Sequence, residues 1–186
     1  MSVQRHSQGD ARLTLLFSRQ IIGDRVRELG AQISREYLGK EILLVGVLKG
    51  AFIFLADLMR TLDVATQVEF VRLASYGTSA LSGGKVHMRL DLETAIAGRH
   101  VLVVEDILDT GLTLSFLLEH LRARQPASLK LCVLLNKRIR RQYEIIPDYV
   151  GFDVADGFIV GYGIDYAECY RQLPDIYALT IPEPRS

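Results

Sequence analysis

Residues 101–114 read VLVVEDILDTGLTL. Four branched apolar residues, Val101 to Val104, predict a strand covered on both faces. The strand runs into two adjacent carboxylates, Glu105 and Asp106. After Ile107 and Leu108, the run Asp109-Thr110-Gly111-Leu112-Thr113 opens a helix expected over Leu112–Arg124. A glycine flanked by hydroxyls at a helix start offers backbone N–H groups, O–H donors and the positive end of the helix dipole, which suit a phosphate monoester. The acids would repel a phosphate they touched, so they make sense facing a polyol or a metal ion a few ångströms further on. Singly, Asp109-Thr110-Gly111 also reads as a plain turn and cap, and the acid pair as solvated charges. Joined directly behind an all-apolar strand, they favour a ligand site.

Working outward, strand and helix patterns alternate. Ile22, Val26, Leu29, Ile33 and Tyr37 recur every three or four residues, predicting a helix over about 18–38 with Ser18 as N-cap and Gly39 as its stop. ILLVGVL at 42–48 predicts a second buried strand, Ala51–Leu62 a helix, and Val68 to Arg72 a weaker strand. Residues 75–87 are small and polar enough for a mobile loop. Leu129–Leu135 predicts a third buried strand ended by Asn136 and Lys137, and Phe158–Val160 a short fourth. This alternation predicts an α/β fold, an open twisted mainly parallel sheet flanked by helices. Such sheets bind ligands at the carboxyl ends of their strands, near a switch in strand order. Lys49-Gly50, the segment 105–113 and Lys137 should therefore converge on one site.

Composition narrows the function. The chain has 186 residues, 49% hydrophobic and 24% charged, enough for one domain with a real core. Its 22 basic and 22 acidic residues cancel, whereas proteins held to nucleic acid by counterion release usually carry a basic excess. No nucleic-acid partner is expected. Residues 1–10 lack the apolar stretch of a signal peptide, and no apolar run approaches the roughly 20 residues of a membrane helix. A cytoplasmic location with no membrane partner is the expectation. Cys132 and Cys169 are too far apart in sequence for metal-ligand spacing, and the four histidines form no cluster.

VEDILDTG resembles the phosphoribosyl-pyrophosphate motif of the type I phosphoribosyltransferases, and its Glu-Asp pair with Asp109 is most similar to the hypoxanthine-guanine branch. Val47-Leu48-Lys49-Gly50-Ala51 resembles that branch's pyrophosphate loop, and Ser75-Tyr76-Gly77 its lid. The run 156–166 (DGFIVGYGIDY), followed by Tyr170-Arg171, resembles its purine pocket and tail. The likeness covers about residues 13–182 in order. It implies a single domain over 1–186, with a core near 13–150 and a small hood built from the N-terminal segment and about 151–186. It further implies a pentosyltransferase of purine salvage, in which phosphoribosyl pyrophosphate and a 6-oxopurine give IMP or GMP and pyrophosphate.

The resemblance also implies roles. Glu105 and Asp106 would serve the ribose hydroxyls and Mg²⁺, with Asp165 as a further metal-associated residue. Asp109 would be the acid/base at purine N7, and Thr110, Gly111, Leu112 and Thr113 would hold the 5′-phosphate. Lys49, Gly50, Ser75, Tyr76, Arg141 and Arg171 would meet the pyrophosphate. Lys137 would donate to the 6-oxo group and reject adenine, whose 6-amino group is itself a donor. Phe158 would stack on the purine, Ile159 would touch it through the backbone, and Asp165 would read its 2-position. The family peptide corresponding to Leu48–Lys49 can be cis, and a homodimer or homotetramer is implied. Three alternatives stay open at this level: a xanthine-preferring enzyme, an RNA-binding regulator on the same fold, and an inactive homologue.

Overall fold

The computed structural model describes residues 11–76 and 85–181. In chain order its elements are β1 (Arg12–Phe17), α1 (Arg19–Glu36), β2 (Ile42–Leu48), α2 (Phe52–Met59), β3 (Thr66–Tyr76) and β4 (Lys85–Leu90). There follow β5 (His100–Leu108), α3 (Leu112–Arg122), β6 (Ser128–Lys137), β7 (Tyr149–Val154), β8 (Phe158–Val160) and β9 (Ile176–Thr180).

The main sheet has six strands in the order β4-β3-β2-β5-β6-β7. All neighbours are parallel except β3 and β4. Alternate residues of the central strands feed two cores. Ile42 and Leu44 of β2, with Leu102 and Val104 of β5, pack under α1 and α2. Leu43, Val45, Val101 and Val103 pack under α3. All eight are fully buried, which is why these strands read as unbroken apolar runs. At about 1.5–3 kcal/mol per buried aliphatic side chain, the two layers hold the sheet from both sides. Helix α1 begins as its sequence implies, with Ser18 Oγ accepting from the Ile21 N–H at 3.4 Å. Arg25 anchors it to the far edge of the sheet through the carbonyls of Val150 and Gly151.

Strand order reverses between β2 and β5: the chain leaves β2 towards β3 and β5 towards β6. The loops after β2 and β5 therefore run apart and open a crevice between them.

A second sheet, β1-β9-β8, is antiparallel throughout and pairs the two ends of the chain. Ile159, Tyr162, Ile164 and Ile176 share one core with α1 and α2, so this sheet is packed on the main one.

Several expectations need correction. The short strand at 158–160 belongs to the small sheet, not the parallel one. The expected core–hood boundary near 150 falls inside β7, which pairs with β6 in the main sheet. Within the loop expected at 75–87, Ser75 and Tyr76 pair with Val86 and Lys85, while 77–84 lie outside the described residues. Helix α2 stops at Met59, where the Thr61 N–H and hydroxyl both turn back to the Leu58 carbonyl. Among the described residues no helix is long and apolar enough to cross a membrane.

Candidate active site

The crevice is a cleft of about 260 Å³ between the ends of β2 and β5. Val47, Leu48 and Gly50 line one side, and residues 105–111 with Thr113 and Leu114 the other. Strand β5 continues through the acid pair to Leu108, so Glu105 and Asp106 are strand residues, 7% and 8% exposed. The Asp106 N–H donates to Glu105 Oε1 at 3.1 Å, and the Ile107 N–H to Asp106 Oδ1 at 2.9 Å. Burial pushes both carboxyls up, Glu105 well above the ordinary range because the charge of Asp106 adds to its desolvation. Gly50 passes directly beside this pair. A Cβ there would stand 1.8 Å from Asp106 Oδ2.

At the other end of the loop, Gly111 is the N-cap of α3 in the left-handed region, φ +87°, where a side chain would be strained. It has no side chain with which to cap the helix, whose first turn also carries no acidic residue. Thr110 Oγ1 accepts weakly from the Leu112 N–H at 3.4 Å. The dipole and first-turn donors of an eleven-residue helix thus face the cleft without an internal anion.

Asp109 joins this loop to β6. Its Oδ2 lies 3.5 Å from Lys137 Nζ, and its Oδ1 is buried with no hydrogen-bond partner among the described residues. Lys137 is the last residue of β6, with its side chain 5% exposed. Its ammonium also donates to the Gly157 carbonyl at 3.0 Å and pairs with Asp156 at 3.2 Å. Next to them, Phe158 is 53% exposed on β8, its ring edge-on to Tyr166 with centroids 5.1 Å apart, while Ile159 is buried. The small sheet therefore sets an exposed aromatic face near the buried lysine.

A second group of charges lies across the cleft. The Leu48–Lys49 peptide is cis. Lys49 Nζ donates to Glu168 Oε2 at 2.7 Å, and the same oxygen is 3.5 Å from Arg171. Arg171 is held by Asp165 at 2.7 Å and by the Gly163 carbonyl at 2.8 Å, leaving its buried Nε without a hydrogen-bond partner among the described residues. The Glu168 N–H in turn donates to Asp165 Oδ2 at 2.8 Å.

Arg141 behaves differently from Lys49 and Arg171. Its guanidinium is taken up by the carbonyls of Leu108, Asp109, Lys137 and Ile145 and by the side chain of Asn136. The sequence assigns no role to Asn136, read there only as the end of a strand, or to Asp156, read only as the first residue of the 156–166 run. Glu168 carries no signal beyond that of an ordinary surface acid.

Glu105, Asp106 and Asp165 supply hard oxygen donors of the kind Mg²⁺ prefers, and two adjacent buried carboxylates favour a cation beside them. Yet among the described residues no three His, Cys, Asp or Glu side chains converge as one metal-holding group. Asp165 is committed to Arg171 instead of joining the acid pair. The residues fit a metal held by few carboxylates and completed by ligand oxygens, not a closed protein cage.

The model of the phosphoribosyl transferase domain matches residues 14–167. A hypoxanthine-guanine phosphoribosyltransferase from Bacillus subtilis (strain 168) is 47% identical over 165 residues, covering 89% of this chain and 92% of its own. A hypoxanthine phosphoribosyltransferase from Haemophilus influenzae is 43% identical over 172 residues, covering 91% and 96%. The crystal structure of a hypoxanthine-guanine phosphoribosyltransferase from Bacillus anthracis superposes with a TM-score of 0.86 at 42% identity, over 92% of this chain and 100% of that one. The family match spans the acid-pair strand with its helix-opening loop and runs on through β8, and the chain accordingly belongs to the phosphoribosyltransferase family.

Proposed function

We propose that this protein moves the 5-phosphoribosyl group from phosphoribosyl pyrophosphate to N9 of hypoxanthine or guanine, yielding IMP or GMP and pyrophosphate. The observation that carries this reading is the buried, unpartnered Oδ1 of Asp109 beside the buried ammonium of Lys137, at the mouth of a cleft that continues into the open N-terminus of α3.

The first-turn N–H groups of α3, with Thr110, Gly111, Leu112 and Thr113, hold the 5′-phosphate. Glu105 and Asp106 hold the ribose hydroxyls and steady the positive charge that builds on the ring. Mg²⁺, when bound, neutralises the leaving pyrophosphate. Glu105 and Asp106 would hold it together with substrate oxygens, with Asp165 near it through Arg171. Lys49, Gly50 and Arg171 meet the pyrophosphate, and Ser75 and Tyr76 begin the lid that excludes water.

Phe158 stacks on the purine. Lys137 donates to its 6-oxo oxygen, exchanging its contact with Asp156 for that bond. Ile159 and Asp165 read the far edge of the base through their backbones. As N9 attacks C1, the C1–oxygen bond breaks and its electron pair leaves with pyrophosphate. Asp109 Oδ1 takes the proton of the reacting purine at N7. The active unit is a homodimer or homotetramer in the cytoplasm.

The test is product formation from phosphoribosyl pyrophosphate and Mg²⁺ with hypoxanthine, guanine, xanthine and adenine in parallel. Turnover of the first two with adenine inert is expected. Xanthine turned over above both would change the substrate assignment, and turnover of no base by folded protein would overturn the function.

A further inference from the structure

We propose that Arg141, seated by Asn136, is a positioning residue that fixes Asp109 and Lys137 relative to each other; this rests on the proposed roles of that pair. The resemblance would have Arg141 touch pyrophosphate, but its bonds point inward. The β5–β6 ladder ends at the pair Leu108 and Asn136, so Asp109 and Lys137 sit immediately past the last registered residues of the two strands. There the backbone carbonyls no longer have a sheet neighbour across this gap, and one cation collects them. Arg141 Nε donates to the Asp109 carbonyl at 2.9 Å. One terminal nitrogen reaches the carbonyls of Leu108 at 3.3 Å and Lys137 at 3.0 Å, and the other the Ile145 carbonyl at 2.8 Å.

Asn136 sets the guanidinium in place. Its Oδ1 accepts from Arg141 at 2.7 Å, and its Nδ2 donates to Asp153 of β7 at 2.7 Å, so the chain of bonds reaches the neighbouring strand. Asn136 is 2% exposed, and a buried amide satisfied on both sides has one orientation. The loop carrying Arg141 closes the same clasp with its backbone: the N–H groups of Gln142 and Tyr143 both donate to the Thr110 carbonyl, at 2.9 and 3.1 Å. Three consecutive carbonyls, 108 to 110, are thereby tied to a single loop. A planar guanidinium spreads its donors over acceptors on two strands, whereas a lysine ammonium, a point charge on a flexible stem, cannot.

Steady-state kinetics on Arg141→Ala, Arg141→Lys and Asn136→Ala test this. In Arg141→Ala, kcat should fall on the order of 100-fold, the cost of a small misplacement of reacting groups. The KM for phosphoribosyl pyrophosphate and inhibition by inorganic pyrophosphate should stay near wild type. Millimolar guanidinium or methylguanidinium should restore part of kcat, and Arg141→Lys should remain slow. Asn136→Ala should show the same kcat-only loss in milder form, which tests the proposal even if Arg141→Ala does not fold. A raised KM and weaker pyrophosphate inhibition at unchanged kcat would overturn the proposal in favour of a pyrophosphate contact. A lower Tm with unchanged kcat would overturn it in favour of a structural tie. Wild-type protein that transfers no phosphoribosyl group would instead overturn the function itself, and this proposal with it.

Discussion

Four of the basic residues around the cleft form two pairs that are held in different ways. Arg141 and Lys137 sit at the β5–β6 end: Arg141 is bound by four backbone carbonyls and Asn136, and the buried Lys137 by the Gly157 carbonyl together with Asp109 and Asp156. Lys49 and Arg171 sit across the cleft and are held chiefly by the carboxylates of Glu168 and Asp165, Arg171 also by the Gly163 carbonyl. A carbonyl is part of the frame and cannot leave, so a cation bound to it fixes geometry. An exposed carboxylate is a charge partner that an incoming anion can replace, and such pairs contribute little stability. One side of the cleft is therefore built to hold positions and the other to exchange anions.

The largest expected effect lies on the fixed side. Asp109→Asn should fold with a near-native Tm and lose roughly 100- to 10,000-fold in kcat, the usual range for removing an acid/base group. Near-normal turnover would take Asp109 out of that role. Lys137→Ala removes a buried cation and should cost about 10- to 100-fold in kcat/KM for hypoxanthine, as expected for a charged hydrogen bond. It should also narrow the preference over adenine. An unchanged ratio of kcat/KM for the two bases would mean that the 6-position is read elsewhere.

Gly50→Ala probes the seam between the sides, since its Cβ would meet Asp106 Oδ2 at 1.8 Å. Displacing the acid pair should raise the KM for phosphoribosyl pyrophosphate about tenfold, the kinetic equivalent of a 1–3 kcal/mol overpacking cost. Steady-state titration at saturating Mg²⁺ measures it.

The smallest effect lies on the exchangeable side. Glu168→Gln should tighten inhibition by inorganic pyrophosphate roughly two- to fivefold, because an exposed pair competes only weakly. Looser binding would show that Glu168 orients Lys49 and Arg171 instead of competing for them. The pH dependence has the same sign. Lys49 holds the Glu168 carboxyl below its ordinary range, so the pair persists above that lowered pKa and is lost as the pH falls through it. Acidification through that range should reproduce the tightening in wild type and leave the Gln variant unmoved.

The legible parts of the molecule share one physical property, namely that their pattern is local. β2, the apolar half of β5, and α1 with its Ser18 cap are encoded by periodicity within a few residues of themselves. The convergence of Lys49-Gly50, 105–113 and Lys137 followed from those elements and the rule for parallel sheets. The illegible parts depend on distant partners. β1 and β9 are short, β1 exposed along nearly its whole length and β9 mixed in burial, and they exist because they pair with each other across the length of the chain. β4 lies at the sheet edge, and β6 runs on through Asn136 and Lys137 because β7 is there to pair with them.

Within the site the division is the same. Local pattern suffices for the α/β frame, the acid pair, the helix-opening loop and the resemblance to the family, since each lies in a contiguous run whose spacing is its chemistry. What each cation is for depends on the partners that folding brings to it. Arg141 and Arg171 carry the same group, but a guanidinium's role is set by whether carbonyls or carboxylates surround it: the Leu108 and Asp109 carbonyls reach Arg141 from a strand end 33 and 32 residues away, whereas the loop that carries Arg171 folds back to bring up Asp165 and Glu168.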